Sequence, residues 1–534
     1  MIALVLLHSG CGDEEEGIEV RTAYRELRAE ALSLYLDIHP LRASSLGSRD
    51  SDSLLYTYST REIERSLSKL SALEGELKRL STKGLEARDI EDLQLLLSWI
   101  RSERFALGEL LYYQFNPLLY CWIVEEALWG IPRRTEPPYQ GELEAYDRRR
   151  HHIPELLRNA AEHLIDPPRP HVELASRRLR RLLEDMPGLE RMIRSRYERN
   201  MALPDSVARA ITGFLGFLEG TLPSRTRSNM ILGTENMAKI FRYGEMIELD
   251  PAGLIREAEK QMRRLEIELD NLERSGAIEP SGRAVRLDSV LDTIGKLEGI
   301  GGRAASGRGS IALEPARTLG PQPPKNENLG IPAPRARLVS LVSVSPLSPE
   351  PCGLTLLYDE NASNELRLLY DALGALSARE ERRRLCAGRD SVRALLGSDL
   401  YSEIVRFMEI DDLIGAFPDE RIRLRAMLIG EKRAALARMR LLFGIHAGTM
   451  TTEAARDYLV RTLSIGTDEA AAEVMTATYA PTAADPGIAL IYLEQMLKEA
   501  AKRRDSIGPE TRVRRALEEH YYLPPAMIIR YVEP

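Results

Sequence analysis

The chain has 534 residues, of which 44% are hydrophobic and 29% charged, and its formal net charge is −8 at pH 7. This length exceeds what a single hydrophobic core usually organises, so we expect one large domain built from two intimate lobes. The mild acidity argues against a nucleic-acid partner, which would require a basic face. The four cysteines include no pair at CxxC spacing, which argues against a zinc knuckle and a disulfide framework.

The amino terminus resembles a bacterial lipoprotein signal. Its first ten residues are apolar and end in small residues before Cys11, the position at which such signals are lipidated. The acidic run Asp13–Glu16 suits a flexible tether, so segment 1–18 is predicted to be signal and tether. We therefore expect a protein of the cell envelope whose only membrane contact is a lipid at Cys11. The alternative is a cytoplasmic protein whose apolar start is fortuitous.

Helical periodicity dominates segment 19–299. Apolar residues recur at steps of three and four, as on one face of an α-helix, and Ser59 with Thr60 is typical of a helix start. Asp250 followed by Pro251 is a second such start. This segment is predicted to form an amino-terminal helical lobe.

The character of the sequence changes at residue 300. Segment 300–336 is rich in glycine and proline and has no periodicity, so we expect a loop that covers or lines a cleft. Alternating apolar and β-branched residues then predict strands at Arg337–Ser345 and Leu354–Tyr358, which would pair in a small antiparallel sheet. An apolar helix capped by Asn364, the central helix, should follow. The predicted fold is mainly α, with this sheet before the central helix and a carboxyl-terminal helical lobe completing segment 337–534.

Several blocks, taken in order and spacing, resemble one bacterial family, the "domain of unknown function 885". They are Tyr35–Pro40 with Ser45–Gly47, Asp166–Glu173, Leu249–Pro251, Gly444–His446 with Thr452–Tyr458, and Pro486–Tyr492. The resemblance implies a large helical protein, secreted or lipid-anchored, with a fold like that of gluzincin-type metallopeptidases.

In that family the central helix carries a motif of the form His-Glu-x-x-Pro-Gly-His-His, which supplies zinc ligands and a glutamate that polarises a bound water. In this chain Leu368–Ser377 occupies the corresponding place. Four motif positions are replaced there, by Tyr370, Asp371, Leu376 and Ser377. No histidine occurs between positions 171 and 446, so no shift of register restores the motif.

The family's second acidic element, Glu-Gly-Trp-Ala-x-Tyr-x-Glu, should fall within Ser402–Leu413. Glu403 could be its first carboxylate, or Arg406 could stand there instead, and the Gly-Trp-Ala core is absent in either register. Asp411 and Asp412 remain as a carboxylate pair that we expect to be solvated. One carboxylate and one phenol do not supply the three or four ligands that a divalent ion needs. The resemblance implies zinc for the family. Because the ligands are missing from this chain, we expect it to hold no cofactor.

Two functions follow from this resemblance. The first is a catalytically inactive, envelope-associated homologue of a metallopeptidase that binds a peptide or protein in its cleft or serves a structural role. The alternative is a hydrolase with an altered, metal-independent site in the same cleft. Its candidate residues are Asp371, Glu403, His446 and Tyr492. An ordinary helix C-cap explains His446 more simply, because a histidine there can meet the last carbonyls of the helix.

Overall fold

The computed structural model describes residues 10–274 and 391–533, apart from positions 46, 135–136, 200, 229–230, 416, 419 and 504–505. It also describes three strands and residues Tyr370 and Leu373. For residues 10–16, Ser391 and the strands, the backbone alone is described. The predicted sites Asp371, Leu376 and Ser377 lie outside the described residues, as does most of the central helix.

The described body is mainly helical, as predicted. Its amino-terminal part contains α1 (Gly10–Ile38), α2 (Pro40–Ser45), α3 (Thr60–Arg79), α4 (Ala87–Arg104), α5 (Tyr112–Phe115), α6 (Pro117–Trp129), α7 (Glu142–Arg150), α8 (Ile153–His163), α9 (Arg169–Glu184), α10 (Met186–Tyr197), α11 (Asp205–Gly216), α12 (Thr234–Gly244) and α13 (Pro251–Arg274). Its carboxyl-terminal part contains α14 (Ser391–Leu396), α15 (Asp399–Ile414), α16 (Arg421–His446), α17 (Thr452–Leu463), α18 (Thr467–Tyr479), α19 (Asp485–Ala501), α20 (Pro509–Glu519) and α21 (Pro525–Val532).

Short turns of other helix types link these elements. Turns of 3₁₀ helix lie at Arg49–Ser53, Leu222–Arg225 and Pro481–Ala484, and π-helical turns follow α4 and α11 at Phe105–Glu109 and Phe217–Thr221. Among the described residues, no helix combines the length and the hydrophobicity needed to cross a lipid bilayer. Helix α1 begins at Gly10, so the backbone of the predicted acidic tether is helical.

Local sequence explains where α3 begins. The hydroxyl of Ser59 accepts a hydrogen bond from the Glu62 amide at 3.3 Å, and the Glu62 carboxylate accepts one from the Ser59 amide at 3.1 Å. This reciprocal capping box satisfies two amides that the first turn would leave without partners. The predicted helix start at Ser59 and Thr60 is confirmed, and α13 likewise begins at the predicted Pro251.

The buried apolar residues form two clusters. The smaller lies within the amino-terminal part and is centred on α6, α8, α9 and α11. The larger joins α1, α3 and α4 to the carboxyl-terminal helices, so that Leu70 and Leu96 belong to the same cluster as Leu436 and Ile488. Tyr370 and Leu373, the two described residues of the central helix, are buried in this larger cluster. The early helices therefore pack on late ones, which brings distant parts of the sequence to one place.

Three strands form a separate sheet: β1 (Ile311–Pro315), β2 (Leu338–Ser343) and β3 (Gly353–Tyr358). Strand β3 lies in the middle, parallel to β1 and antiparallel to β2, with Leu313 opposite Leu356 and Leu341 opposite Thr355. The sheet is thus mixed, and β1 arises from the segment predicted to be a loop. Strands β2 and β3 pair antiparallel within the predicted ranges, but no strand occurs in the described helical body, so a sheet that leads into the central helix is not supported.

Candidate functional site

Helix α15 carries two of the residues singled out in the sequence. It begins after Ser398, whose hydroxyl accepts a hydrogen bond from the Tyr401 amide at 3.1 Å. Glu403 and Arg406 stand three residues apart, on one face of this helix. The Nε and Nη2 atoms of Arg406 donate to Oε2 of Glu403 at 3.0 and 2.9 Å. Glu403 is therefore already bonded to Arg406, the residue that would stand at the same motif position in the other register.

Arg406 also reaches a carboxylate on the next helix. Its Nη1 donates to Oε1 of Glu431, on α16, at 2.8 Å. The phenol of the buried Tyr370 donates to Oε2 of the same carboxylate. The four side chains Tyr370, Glu403, Arg406 and Glu431 form what we call the Arg406 network. It joins the first replaced motif position to the segment expected to hold the second acidic element.

The charge of the Arg406 network centres on the guanidinium. Burial alone would lower the pKa of Arg406, but the negative charges of Glu431 and Glu403 outweigh that effect and raise it. Arg406 is therefore a permanent cation held between two carboxylates.

These residues do not fit the zinc ion that the family resemblance implies. A divalent ion would need the carboxylate oxygens that Arg406 now occupies, and the fixed guanidinium charge would repel it. Tyr370 is likewise a hydrogen-bond donor to Glu431 here. In the described part of the chain, no three His, Cys, Asp or Glu side chains are grouped as a metal site.

A second set of carboxyl groups lies beside the Arg406 network. Asp485 begins α19 and is only 6% exposed, and its Oδ1 atom is shielded from solvent with no hydrogen-bond partner among the described residues. Burial raises the pKa of the Asp485 carboxyl well above its ordinary value. The neighbouring carboxyl groups of Glu245, Asp399 and Glu403 raise it further. Both effects favour the protonated form of Asp485.

Glu245 follows α12 and faces the amino terminus of α15. Its carboxyl accepts a hydrogen bond from the Ser398 hydroxyl, and another from the Asp399 amide at 3.1 Å. Burial nevertheless raises the pKa of Glu245 to about 8. We call Glu245, Asp399 and Asp485 the acidic group. No Lys or Arg of the described chain forms an ion pair with any of the three.

The remaining candidates are placed differently. His446, the last residue of α16, is fully buried. Its Nε2 donates to the Ala477 carbonyl at 3.0 Å, and its Nδ1 accepts from the Leu232 amide at 3.3 Å. Burial lowers the pKa of this imidazole. His446 is thus a neutral link between three segments, with both nitrogens engaged, and it does not bond the last carbonyls of its own helix as a C-cap would.

Tyr492 and the aspartate pair also lie apart from the network. Tyr492 stands two turns after Asp485 on α19, half-buried against the core, and burial raises the pKa of its phenol. Asp411 accepts from Nη1 of Arg425 at 2.9 Å, whereas Asp412 pairs with Arg514. The two aspartates therefore face different arginines near the surface, as expected of solvated side chains.

The family described as "Bacterial protein of unknown function (DUF885)" matches residues 40–288. The DUF885 match thus covers helices α2 to α13 and includes Glu245 of the acidic group. The Arg406 network lies beyond it.

Two solved structures share the fold over nearly the whole chain. One is a candidate lipoprotein of unknown function from Shewanella oneidensis, with 14% sequence identity and a TM-score of 0.68, covering 95% of this chain and 99% of its own. The other is a candidate lipoprotein from Colwellia psychrerythraea, with 13% identity and a TM-score of 0.70, covering 96% of this chain and 98% of its own. Identities this low establish the fold alone. No curated protein matches the chain in sequence.

Proposed function

We propose that this chain is a DUF885 protein of the cell envelope that has given up metallopeptidase chemistry and binds a peptide or protein in its cleft. The ligand is held through a basic side chain or a free amino group. The Arg406 network carries this proposal. The Arg406 guanidinium stands between Glu403, in the segment expected to hold the second acidic element, and Glu431, which is bonded to Tyr370 at the first replaced motif position.

Loss of the metal explains why the site needs an internal cation. Two partly buried carboxylates that face each other repel one another, and a zinc ion would ordinarily offset that repulsion. Arg406 offsets it instead, with three hydrogen bonds to Glu403 and Glu431. The scaffold then remains stable without metal, which suits a binding protein.

The acidic group favours a ligand that is positively charged. Asp399 is exposed, Glu245 is half-buried and Asp485 is buried, so acidity extends from the surface to the interior. Burial and the repulsion from neighbouring carboxylates raise the pKa of both Asp485 and Glu245. An ammonium or guanidinium of a ligand would favour the ionised forms, so ligand binding would lower the pKa of both carboxyls. Affinity should then rise as the pH increases towards 8.

The envelope location rests on separate support. The apolar start before Cys11 resembles a lipoprotein signal. The two structural neighbours are themselves described as candidate lipoproteins. A lipid at Cys11 would place the cleft beside the membrane, where exported peptides and envelope proteins are available.

A calorimetric titration tests the binding proposal. The probes are two short Gly-Ala peptides, one with a central Lys-Arg pair and the other with Glu-Glu in its place. The expected result is measurable binding of the basic peptide alone, weakened at least about tenfold, or about 1.4 kcal/mol, by Asp485→Asn. The matched control is Asp468→Asn, because Asp468 is an exposed aspartate in the first turn of α18. Equal affinity for both peptides would overturn the proposal, and so would one equivalent of zinc retained after dialysis.

One observation favours hydrolysis as a second candidate function. Glu245, with a pKa of about 8, carries a proton near neutral pH and could act as a general acid. The test is turnover of a fluorogenic peptide library by the unmodified chain and by Glu245→Gln. Turnover that survives a chelator and disappears in the variant would favour the hydrolase.

A further inference from the structure

A group of basic side chains surrounds one buried carboxylate at the junction of α3 and α4, on a part of the molecule that the proposed function does not use. Glu74 on α3 is only 4% exposed. Lys78, one turn later, approaches its Oε1 to 2.6 Å, and Nε of Arg101 donates to the same oxygen at 3.0 Å. Nη1 of Arg104 donates to Oε2. Three cations therefore share one carboxylate.

The carboxylate does not use up the donors of these cations. Arg101 binds Glu74 through Nε only and Arg104 through Nη1 only. The other guanidinium nitrogens, Nη1 and Nη2 of Arg101 and Nε and Nη2 of Arg104, have no partner among the described residues. The side chains of Lys78, Arg101 and Arg104 are 52%, 41% and 42% exposed, so a ligand can reach them. A buried acid holds the three cations in place while their outer donors stay open.

These donors border a cavity of about 270 Å³ lined by Glu74, Lys78, Arg101, Arg104, Glu109 and Tyr243. That volume is several times the roughly 30 Å³ of one water molecule in the liquid. The second acid of the lining, Glu109, is engaged by Lys239 at 3.1 Å. Lys239 pairs in addition with Glu235 at 3.2 Å. Three basic and two acidic side chains line the cavity, so its lining carries a net positive charge.

Glu74 keeps this arrangement charged over a wide pH range. Burial alone would raise its pKa, but hydrogen bonds from Lys78, Arg101 and Arg104 lower the pKa of Glu74 to about 2. The carboxylate thus stays ionised and continues to orient the cations at any physiological pH.

We propose that this cavity, the Glu74 pocket, binds the phosphate group of a ligand. Two guanidinium groups with open donors can each form paired hydrogen bonds to phosphate oxygens, and the Lys78 ammonium adds a point charge. A carboxylate offers only two oxygens to these donors, whereas a phosphate offers three or four. The phosphate group can come from free phosphate or from the headgroup of an anionic lipid, and the pocket chemistry is the same for both.

The test uses the full chain and its thermal midpoint in sodium phosphate, with sodium chloride and sodium acetate at equal ionic strength as references. The variants are Arg101→Gln and Arg104→Gln. Arg79→Gln is the matched control, since Arg79 is an exposed arginine on α3 that does not line the cavity. We expect phosphate to raise the midpoint of the unmodified chain and of Arg79→Gln equally. Arg104→Gln should weaken the calorimetric phosphate affinity at least about tenfold, with a similar loss for Arg101→Gln.

A further variant separates ligand binding from a merely structural role. Glu74→Gln removes the competing carboxylate, so it should lower the stability of the free protein and yet tighten phosphate binding severalfold. A purely structural cluster would give the first effect without the second. Midpoints that rise equally in phosphate and in chloride would overturn the proposal, as would phosphate affinities unchanged by both arginine variants.

Vesicle sedimentation identifies the source of the phosphate. The unlipidated chain is mixed with vesicles of phosphatidylcholine alone or with phosphatidylglycerol added. Binding that requires phosphatidylglycerol and falls in Arg104→Gln assigns the pocket to a lipid headgroup. Calorimetric binding of inorganic phosphate without such sedimentation assigns it to a soluble phosphate. If the Glu74 pocket does not bind phosphate, the proposal of peptide binding is unaffected, because the two sites share no residue.

Discussion

Nη2 of Arg393 donates to Oε2 of Glu91 at 2.6 Å, and Nε of the same guanidinium donates to Oδ1 of Asp92 at 3.0 Å. The arginine lies on α14 and the two acids lie on α4, about 300 positions earlier in the chain. The phenol of Tyr531, on the last helix, also donates to Glu91, at 2.7 Å. All three charged side chains are buried, so this set ties the first helices to the end of the chain.

Arg393→Met should destabilise the protein strongly. The substitution preserves much of the side-chain volume but leaves Glu91 and Asp92 buried without their cation, which typically costs about 3–5 kcal/mol. The measurement is the urea midpoint at pH 7 from circular dichroism, with Arg209→Ala as the exposed control. A midpoint within error of the unmodified chain would show that the two acids find another partner or take up protons at little cost.

The depressed pKa of Glu74 predicts a loss of stability in acid. Because its folded pKa of about 2 lies below the ordinary value of 4.5, Glu74 stabilises the fold fully above pH 4.5 and progressively less as the pH falls towards 2. A shift of this size corresponds to at most roughly 3 kcal/mol. The unfolding free energies of the unmodified chain and Glu74→Gln should therefore differ most at neutral pH and converge below pH 3. A difference in unfolding free energy that stays constant from pH 7 to below pH 3 would contradict a folded pKa of about 2 for Glu74.

Sequence reasoning recovered the elements better than the contacts between them. The pattern at Ser59 located a helix start because capping is local, and Asp250-Pro251 did the same for α13. The pairing of Arg406 with Glu431 could not be read in the same way. Its partners lie 25 positions apart on different helices, and nothing local specifies how those helices are placed.

Asp485 shows the same limit more sharply. In sequence it is an aspartate before proline and glycine, an ordinary helix-start pattern. Its burial beside Glu245 joins positions 240 apart and depends on the packing of early helices against late ones. The one available signal is its position immediately before the Pro486–Tyr492 block, and that block indicates only a family resemblance. The sheet shows a related limit, since the parallel pairing of β1 with β3 cannot be deduced from alternation alone.

Glu245→Gln should stabilise the protein at alkaline pH. The folded pKa of about 8 lies above the ordinary value of 4.5, so the folded state retains a proton that the unfolded state loses. The contribution of Glu245 to stability is therefore greatest below about pH 4.5 and declines as the pH rises to 8. Glutamine cannot ionise and escapes this decline. The thermal midpoint of Glu245→Gln should exceed that of the unmodified chain at pH 8, and the difference should shrink towards pH 5.

The exposed control for this comparison is Glu453→Gln on α17. Partial exposure of Glu245 limits the expected gain to a few degrees, because solvent screens part of the repulsion. A variant less stable than the unmodified chain at pH 8 would show that the bonds from Ser398 and the Asp399 amide require the ionised carboxylate.

Arg406→Ala should convert the site from one that excludes divalent ions to one that accepts them. Without the guanidinium, Glu403 and Glu431 face each other across the space it filled, and their repulsion lowers the stability of the variant. Calcium, which favours carboxylate oxygens, would offset that repulsion. At ten times its dissociation constant a bound ion stabilises the folded state by about 1.4 kcal/mol. The thermal midpoint of Arg406→Ala should therefore rise with added calcium, while that of the unmodified chain stays constant.

The double variant Arg406→Ala with Glu431→Gln supplies the control, since it removes one of the two carboxylates and should lose the response to calcium. If the single variant is as insensitive to calcium as the unmodified chain, the two carboxylates do not share a cation site, and Arg406 is only a surface partner of Glu403. If both variants respond equally, the ion binds elsewhere. Only a response confined to the single variant supports the view that a guanidinium stands where a metal could otherwise be bound.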